Sequence, residues 1–387
     1  MTANDQLDRP SKAVTTANVT DPELAALLDA RKTVRLQGAY QPLALDDVRQ
    51  SCANIVPLIG DGLALLDVAR LGGGGSKEQF VLRVSDRAGT ARKYVVRTDP
   101  LEAVTVSSRP REAEMIGLAE TRIPVPKVVF VDGDARYFPQ PTLVMEFVEG
   151  VTKPATAGNA VTGLGISFGE KHRTRLAPQF VDYLARLHDI TPSPEILSHH
   201  AIPSPNSRDA ALWQLGYWAE IWSQDHIEPV PLVTYTQEWL RANAPTCERA
   251  RMVHGDYRIG NFLFDEDSGR ITSILDWELA HIGDYHEDVA SVISPTMMVF
   301  DGVWRASDLF ERDEWLDRYQ EVSGLPIDPA TLRYYEILSA YKTYITVAGT
   351  AVSVANASHS HQNILLTTLS GLAPGLLARI CDLFENR

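Results

Sequence analysis

Cysteine is scarce. The chain of 387 residues carries three, Cys52, Cys247 and Cys381, far apart and in no Cys-x-x-Cys pair. That spacing excludes a disulfide framework and suits reduced thiols in a cytosol. Long apolar runs are missing too: none approaches the roughly 18 residues that a spanning helix needs. The opening stretch MTANDQLDRP is polar and lacks the apolar core of a secretory signal. A cytoplasmic protein with no membrane partner is therefore expected, and the sequons at Asn18 and Asn356 carry no weight. Positive charge is short as well. Lys and Arg total 36 against 50 Asp and Glu, a formal net charge of −14. Neutralising a nucleic-acid backbone needs clustered cations, so no nucleic-acid partner is expected. A phosphorylated small ligand stays open, because a local basic patch can sit on an acidic surface.

What is present is an ordinary globular composition, 44% apolar and 22% charged, in a chain long enough for two unequal lobes. Residues 1–50 read as an N-terminal extension, partly disordered, with a short helix at Asp21–Ala30 capped by Asp21 and opened by Pro22. Leu45–Leu58 reads as a second helix. Residues 51–148 form a strand-rich lobe. Strands are expected at Leu65–Leu71, Phe80–Val84, Tyr94–Arg97, Val128–Val131 and Thr142–Phe147, with a helix at Arg111–Thr121 between the third and fourth. Residues 149–387 form a mainly helical lobe. It begins in a Gly- and Thr-rich loop and is interrupted by β segments at Asn261–Phe264 and Ile271–Leu275. Its later helices are expected at Trp304–Val322 and Pro329–Ser358, the second capped by Asp328. The fold class is α+β: an antiparallel-sheet lobe joined to a helical lobe.

The chemistry concentrates in His254-Gly255-Asp256-Tyr257-Arg258-Ile259-Gly260-Asn261. Phosphoryl transfer needs a carboxylate to orient the attacking hydroxyl and accept its proton. It also needs oxygen ligands that hold Mg²⁺ against the phosphates of ATP. Asp256 and Asn261 have the Asp-x-x-x-x-Asn spacing of a kinase catalytic loop. Further on, Ile274-Leu275-Asp276-Trp277-Glu278 ends an apolar β segment in an acidic residue, where a second metal ligand belongs. A capping Asp in one loop and a surface Asp in another is the bland alternative; the order of the two motifs argues against it.

These two motifs, continued as Leu275-Asp276-Trp277-Glu278-Leu279-Ala280-His281-Ile282-Gly283-Asp284, resemble the aminoglycoside phosphotransferase family, which includes choline-kinase-like enzymes. The resemblance covers roughly residues 65–385. It is nearest the branch related to acyl-CoA-dehydrogenase-linked kinase domains, on segments such as Trp239-Leu240-Arg241-Ala242-Asn243-Ala244-Pro245. It implies a protein-kinase-like two-lobed fold, ATP and Mg²⁺ as cofactors, and a small-molecule hydroxyl as acceptor. It makes Asp256 the catalytic base and Asn261 and Asp276 metal ligands. Glu278 resembles the acid of the choline-kinase Asp-Phe-Glu motif.

The remaining nucleotide contacts come from the strand lobe. Gly72 to Gly75 with Ser76 lies between two strands, where Gly73, Gly74, Gly75 and Ser76 can bring backbone N–H groups to phosphates; a flexible hairpin tip would look alike. Tyr94-Val95-Val96-Arg97 aligns with the kinase pattern Val-Ala-Ile-Lys. Alternation puts Val95 over the adenine and Arg97 at the phosphates. Arg replaces the usual Lys and offers a planar fork in place of a compact ammonium; Lys93 is the fallback. Glu112 is the expected partner of Arg97, with Glu114 as alternative. Leu143 to Gly150 reads as the hinge, with Met145 beside the pocket and the backbone of Glu146 and Val148 reading adenine.

Three other features are weaker. Gly165-Ile166-Ser167-Phe168-Gly169 matches a hydrolase elbow in letters but lacks a preceding strand. His199-His200 and His359-Ser360-His361 lack partners at metal-ligand spacing. The Trp213, Tyr217, Trp218 and Trp222 stripe suits helix packing first and a substrate wall second. The acceptor is expected to be a hydroxyacyl-CoA or hydroxy acid, ahead of an aminoglycoside or choline-like alcohol. A catalytically weak nucleotide-binding module is the reading from another class.

Overall fold

The computed structural model describes residues 20–34, 43–72, 77–100, 105–158, 166–300, 302–350, 352 and 370–385. Two helices come first, α1 at Pro22–Val34 and α2 at Leu45–Ile59. The Asp21 carboxylate caps α1 by accepting from Glu23 N at 3.0 Å and Leu24 N at 3.3 Å. Strands β1 (Ala64–Arg70), β2 (Glu78–Ser85) and β3 (Ala91–Thr98) follow, then helix α3 (Arg109–Glu120) and strands β4 (Val128–Asp132) and β5 (Thr142–Glu146). Together they make one antiparallel sheet in the order β1-β2-β3-β5-β4. Alternation along β2 sends Phe80, Leu82 and Val84 inward, where they meet Val48, Cys52, Ile55 and Val56 of α2.

Helix α3 belongs to the other core. Ser108 caps it by accepting from Arg111 N at 3.3 Å. Met115, Ile116 and Ala119 then pack among residues of the helical lobe such as Leu184, Leu215 and Ile221. That lobe consists of α4 (Gly169–His188), α5 (Asp209–Asp225) and α6 (Pro231–Asn243), the short strands β6 (Arg251–Val253), β7 (Phe262–Asp265), β8 (Arg270–Ile274) and β9 (His281–Gly283), and helix α7 (His286–Val292). Strand β6 pairs with β9, and β7 with β8.

The expected helix over Trp304–Val322 starts later than its apolar spacing suggests. Strands β10 (Met298–Phe300) and β11 (Trp304–Ala306) pair as a hairpin, and α8 spans Arg312–Ser323. Ser307 and Asp308 take positive φ, 51° and 53°, which a helix cannot contain. Glu311 and Glu314 then form a reciprocal capping box that opens α8. Helix α9 (Pro329–Tyr344) is capped by Asp328, which accepts from Thr331 N at 2.8 Å. It widens into π-helical turns over Ile345–Thr350; the rest of the expected Pro329–Ser358 helix lies outside the described residues, save position 352. Helix α10 (Ala373–Glu385) packs on α9. Among the described residues no helix is long and apolar enough to cross a membrane.

Candidate active site

Asp256 sits in the loop between β6 and β7. Its carboxylate accepts from Arg258 Nε at 3.0 Å on each oxygen and from Asn261 Nδ2 at 2.7 Å. Asn261 Nδ2 also reaches the Asp256 carbonyl at 2.9 Å. With its nitrogen used inward, the Asn261 side chain keeps its carbonyl oxygen for another ligand. Burial opposes the charge on Arg258, but Asp256 more than offsets it and holds the guanidinium above its ordinary range.

The loop is shaped from beneath by Asp288 of α7. That buried carboxylate accepts from His254 N at 2.7 Å, Gly255 N at 2.9 Å and His188 Nε2 at 3.1 Å. Burial pushes Asp288 upward, yet the His188 hydrogen bond and the charges and amides around it bring it down to about 2. His254 is held below its usual range, chiefly by burial, against Asp288 and Asp256. Its Nδ1 accepts from Asp256 N at 3.2 Å and its Nε2 donates to Leu275 O at 2.9 Å, a pattern that a neutral ring satisfies. Gly255 has φ +81°, and a Cβ there would stand 2.5 Å from Leu279 O. Lys342 of α9 donates to Gly255 O at 2.7 Å and pairs with Glu287 at 3.2 Å.

Asp276 follows β8 in a left-handed conformation, φ 67°. Leu275 N donates to Asn261 O at 2.7 Å, so the loop of Asn261 and the segment of Asp276 are joined through the backbone. The Asp276 carboxylate meets Arg97. One guanidinium nitrogen, Nη2, lies 2.7 Å from Asp276 Oδ1 and 3.0 Å from Glu278 Oε2, while Nη1 lies 2.5 Å from Glu112 Oε1. Burial disfavours the charged guanidinium. Glu112, Asp276 and Glu278 outweigh that and hold it well above its ordinary value.

Around this centre stand residues that the sequence reading did not single out. Arg109 pairs with the other oxygen of Glu112 and, at 3.2 Å, with Asp99. Lys77, fully buried, lies 3.0 Å from Asp99 and 3.7 Å from Glu278. Thr105 Oγ1 donates to Glu278 Oε1 at 2.8 Å. Desolvation raises Asp99, but Lys77 and Arg109 prevail and lower it. Three buried cations thus face four carboxylates. Only local hints stand near them: Lys77 follows Ser76 at the end of the Gly run, and Arg109 stands three positions before Glu112 on one helix.

The other expected residues divide. Glu112 turns to Arg97, whereas Glu114 turns away and accepts from His200 Nδ1 at 2.6 Å. Lys93 is exposed, pairs with Glu149 at 2.8 Å and lies over the Phe147 ring, so it stands apart from the carboxylate cluster. Val95 opposes Met145 across the β3–β5 pairing. The Glu146 N–H donates to Lys127 O at 2.8 Å, which takes that donor away from a bound base. Val148 is half-buried. Gly73, Gly74, Gly75 and Ser76 lie outside the described residues. Ser167 donates to Asp308 at 3.2 Å, and α4 begins two residues later. In the aromatic stripe Tyr217 and Trp218 are buried, and Tyr217 Oη both accepts from Val106 N and donates to Val106 O at 2.9 Å. His359-Ser360-His361 lies outside the described residues. No group of three or more His, Cys, Asp or Glu side chains could hold a metal among the described residues. An oxygen-donor pair such as Asn261 and Asp276 suits Mg²⁺, which keeps waters and substrate phosphates as its other ligands.

A family model described as the phosphotransferase enzyme family matches residues 67–335. Mus musculus acyl-CoA dehydrogenase family member 10 is 26% identical over 220 residues, 56% of this chain and 19% of that protein. Homo sapiens acyl-CoA dehydrogenase family member 11 is 26% identical over 231 residues, 59% of this chain and 28% of that protein. The chain thus spans less than a third of either relative. Among solved structures, a Ralstonia eutropha chain provisionally described as an aminoglycoside phosphotransferase superposes with TM-score 0.63 at 18% identity, covering 89% of this chain and 99% of that one. An aminoglycoside phosphotransferase in ternary complex with ADP and hygromycin B gives 0.51 at 16% identity, covering 83% and 95%. Plasmodium vivax ethanolamine kinase gives 0.51 at 13%, covering 83% and 82%. The likeness is one of fold: an antiparallel-sheet lobe and a helical lobe in the protein-kinase-like arrangement.

Proposed function

The chain belongs to the phosphotransferase enzyme family, and from that premise we propose that it moves the γ-phosphoryl group of ATP to a hydroxyl of a small molecule. The observation that carries this reading is the backbone bond from Leu275 N to Asn261 O, which ties the loop of Asp256 and Asn261 to Asp276. Asp256 orients the acceptor hydroxyl and takes its proton. Arg258, on both oxygens of Asp256, fixes the carboxylate's direction. Asn261 and Asp276 would hold Mg²⁺, which when bound neutralises phosphate charge. Arg97, steadied by Glu112, directs its positive charge to the phosphates. The Gly73 to Ser76 backbone would cover those phosphates, and Val95, Met145, Glu146 and Val148 would frame the base. No step calls for a nucleic-acid or membrane partner.

For the acceptor, a hydroxyacyl-CoA or hydroxy acid is favoured over an aminoglycoside. A site for several ammonium groups needs free carboxylates. On α5, Glu220 pairs with Lys32 at 2.8 Å and Asp225 with Arg31 at 3.0 Å. The curated relatives named as acyl-CoA dehydrogenases support an acyl acceptor in the same direction. The test is ATP consumption with kanamycin-type aminoglycosides, choline, and 3- or 4-hydroxyacyl-CoA esters, each scored by kcat/KM. Turnover of an aminoglycoside with none of the thioesters would overturn the acceptor. No consumption with any hydroxylated metabolite, alongside intact ATP binding, would leave a nucleotide-binding module.

A further inference from the structure

Helix α3 supplies Glu112, and three of its other positions are gripped from outside the sheet lobe. Asp21, the cap of α1, lies 2.9 Å from Arg111 through Oδ1 and accepts Ala201 N at 2.8 Å through Oδ2. The Asp21 and Arg111 side chains are 7% and 4% exposed, so their charges answer to each other and not to water. Ser108, the cap of α3, donates to Glu23 of α1 at 3.1 Å. Glu114 accepts His199 N at 3.1 Å and His200 Nδ1 at 2.6 Å. Positions 108, 111 and 114 recur every three residues and so share one side of the helix, while Glu112 points elsewhere, to Arg97. At its other end α1 is fixed to α5, where Arg31 meets both oxygens of Asp225 at 3.0 Å. Leu28 between them is fully buried in the helical-lobe core. Helix α1 precedes residue 67, where the family match begins.

We propose that α1 is a strap that fixes α3 against the helical lobe, and that Asp21 is a positioning residue that sets where Glu112 holds Arg97. Its effect on nucleotide rests on the phosphotransferase reading; its effect on α3 does not. Arg97 has one orientation that serves both Glu112 and the acids after β8, and a small shift of α3 breaks it. A side chain that merely adds stability would act equally whatever stood at 112. One that acts through Glu112 loses its effect when Glu112 is gone.

The experiment uses the full chain with two readings. Hydrogen exchange is followed in α3 and α2, and affinity for ATPγS is measured with Mg²⁺. Asp21→Asn keeps the cap oxygen and removes the charge. We expect α3 amides to exchange about tenfold faster with α2 unchanged. We expect ATPγS affinity to fall about tenfold in the parent and less than about twofold in a Glu112→Gln background. Unchanged exchange in α3 overturns the strap. An equal loss of affinity in both backgrounds overturns the route through Glu112. A parent that binds no nucleotide overturns the phosphotransferase reading, while the exchange result still decides the strap. Should Asp21→Asn fail to fold, Glu23→Gln at the other strap contact takes its place with the same expected directions.

Discussion

The loop of Asp256 and the cluster around Arg97 are held by different means. The loop is organised around one buried anion: Asp288 collects two amides and a histidine, His254 reaches a carbonyl, and Arg258 and Lys342 add directed bonds to Asp256 and Gly255 O. The cluster is set mostly by charge, with Lys77, Arg97 and Arg109 among four carboxylates from three segments and Thr105 on Glu278. Amide bonds to one carboxylate allow a single geometry. Ion pairs among long side chains can be redistributed when a competing anion enters. The loop is therefore built for fixed aim and the cluster for re-pairing when phosphate oxygens enter.

The sharpest way to break that comparison is at the loop's own carboxylate. Asp256→Asn should lower kcat by roughly a thousandfold with melting temperature and Mg·ATP affinity near those of the parent. Near-normal turnover in a pure sample removes Asp256 from the role of base. Next comes its foundation. Asp288→Asn replaces an acceptor with a group that must turn a donor toward amides. It should cost about 3 kcal/mol of stability in urea titration and lower kcat with little change in ATP KM. A rise in ATP KM alone would place Asp288 with the cluster.

In the cluster the kinetic response should reverse. Arg97→Ala should raise ATP KM about tenfold or more and cost about 3 kcal/mol of stability, since Glu112, Asp276 and Glu278 lose a shared buried cation. Arg97→Lys should recover part of the loss. An Arg97→Ala enzyme with unaltered KM would move the phosphate contact to another residue and dissolve the contrast. The smallest effect is a slope with pH. Burial, helped by the nearby Arg111 charge, lowers His200 to about 4. A histidine depressed on folding stays neutral while the unfolded chain takes a proton near pH 6.5. Its contribution is thus complete above that pH and declines as pH falls toward 4. His200→Gln should flatten this stretch of the stability curve, and an unchanged slope would show that the ring is not held neutral.

The sequence made much of the loop legible, because its chemistry is contiguous: Asp256, Asn261 and Asp276 sit in two short motifs. Arg97 and Glu112 were legible as a pair because strand alternation and helix order place them. Lys77, Asp99 and Arg109 were not, since their roles depend on three chain segments folding to one point, which no local period encodes. Asp288 hid for the same reason; at the start of α7 it reads as an ordinary first-turn acid. The hairpin before α8 is not legible because the signals that separate it from the helix, left-handed Ser307 and Asp308, are conformational. The aromatic stripe of α5 proved to be mostly packing, with Tyr217 fastening the backbone that leads into α3.

Gly255 has a consequence for anyone who would redesign the enzyme. Its bare α-carbon lets Leu279 O come so near that no side chain fits between them. The Asp256 loop and the turn after Asp276 are therefore two surfaces of a single casting. Strand β6 lies on β9, and Asp288 closes the piece from below. Chimeras that cross over between residues 255 and 279 would join halves made for different partners. Crossovers placed before Arg251 and after Val292 would keep these surfaces together, with His188 of α4 and Lys342 of α9 as the outside contacts that a new scaffold must supply.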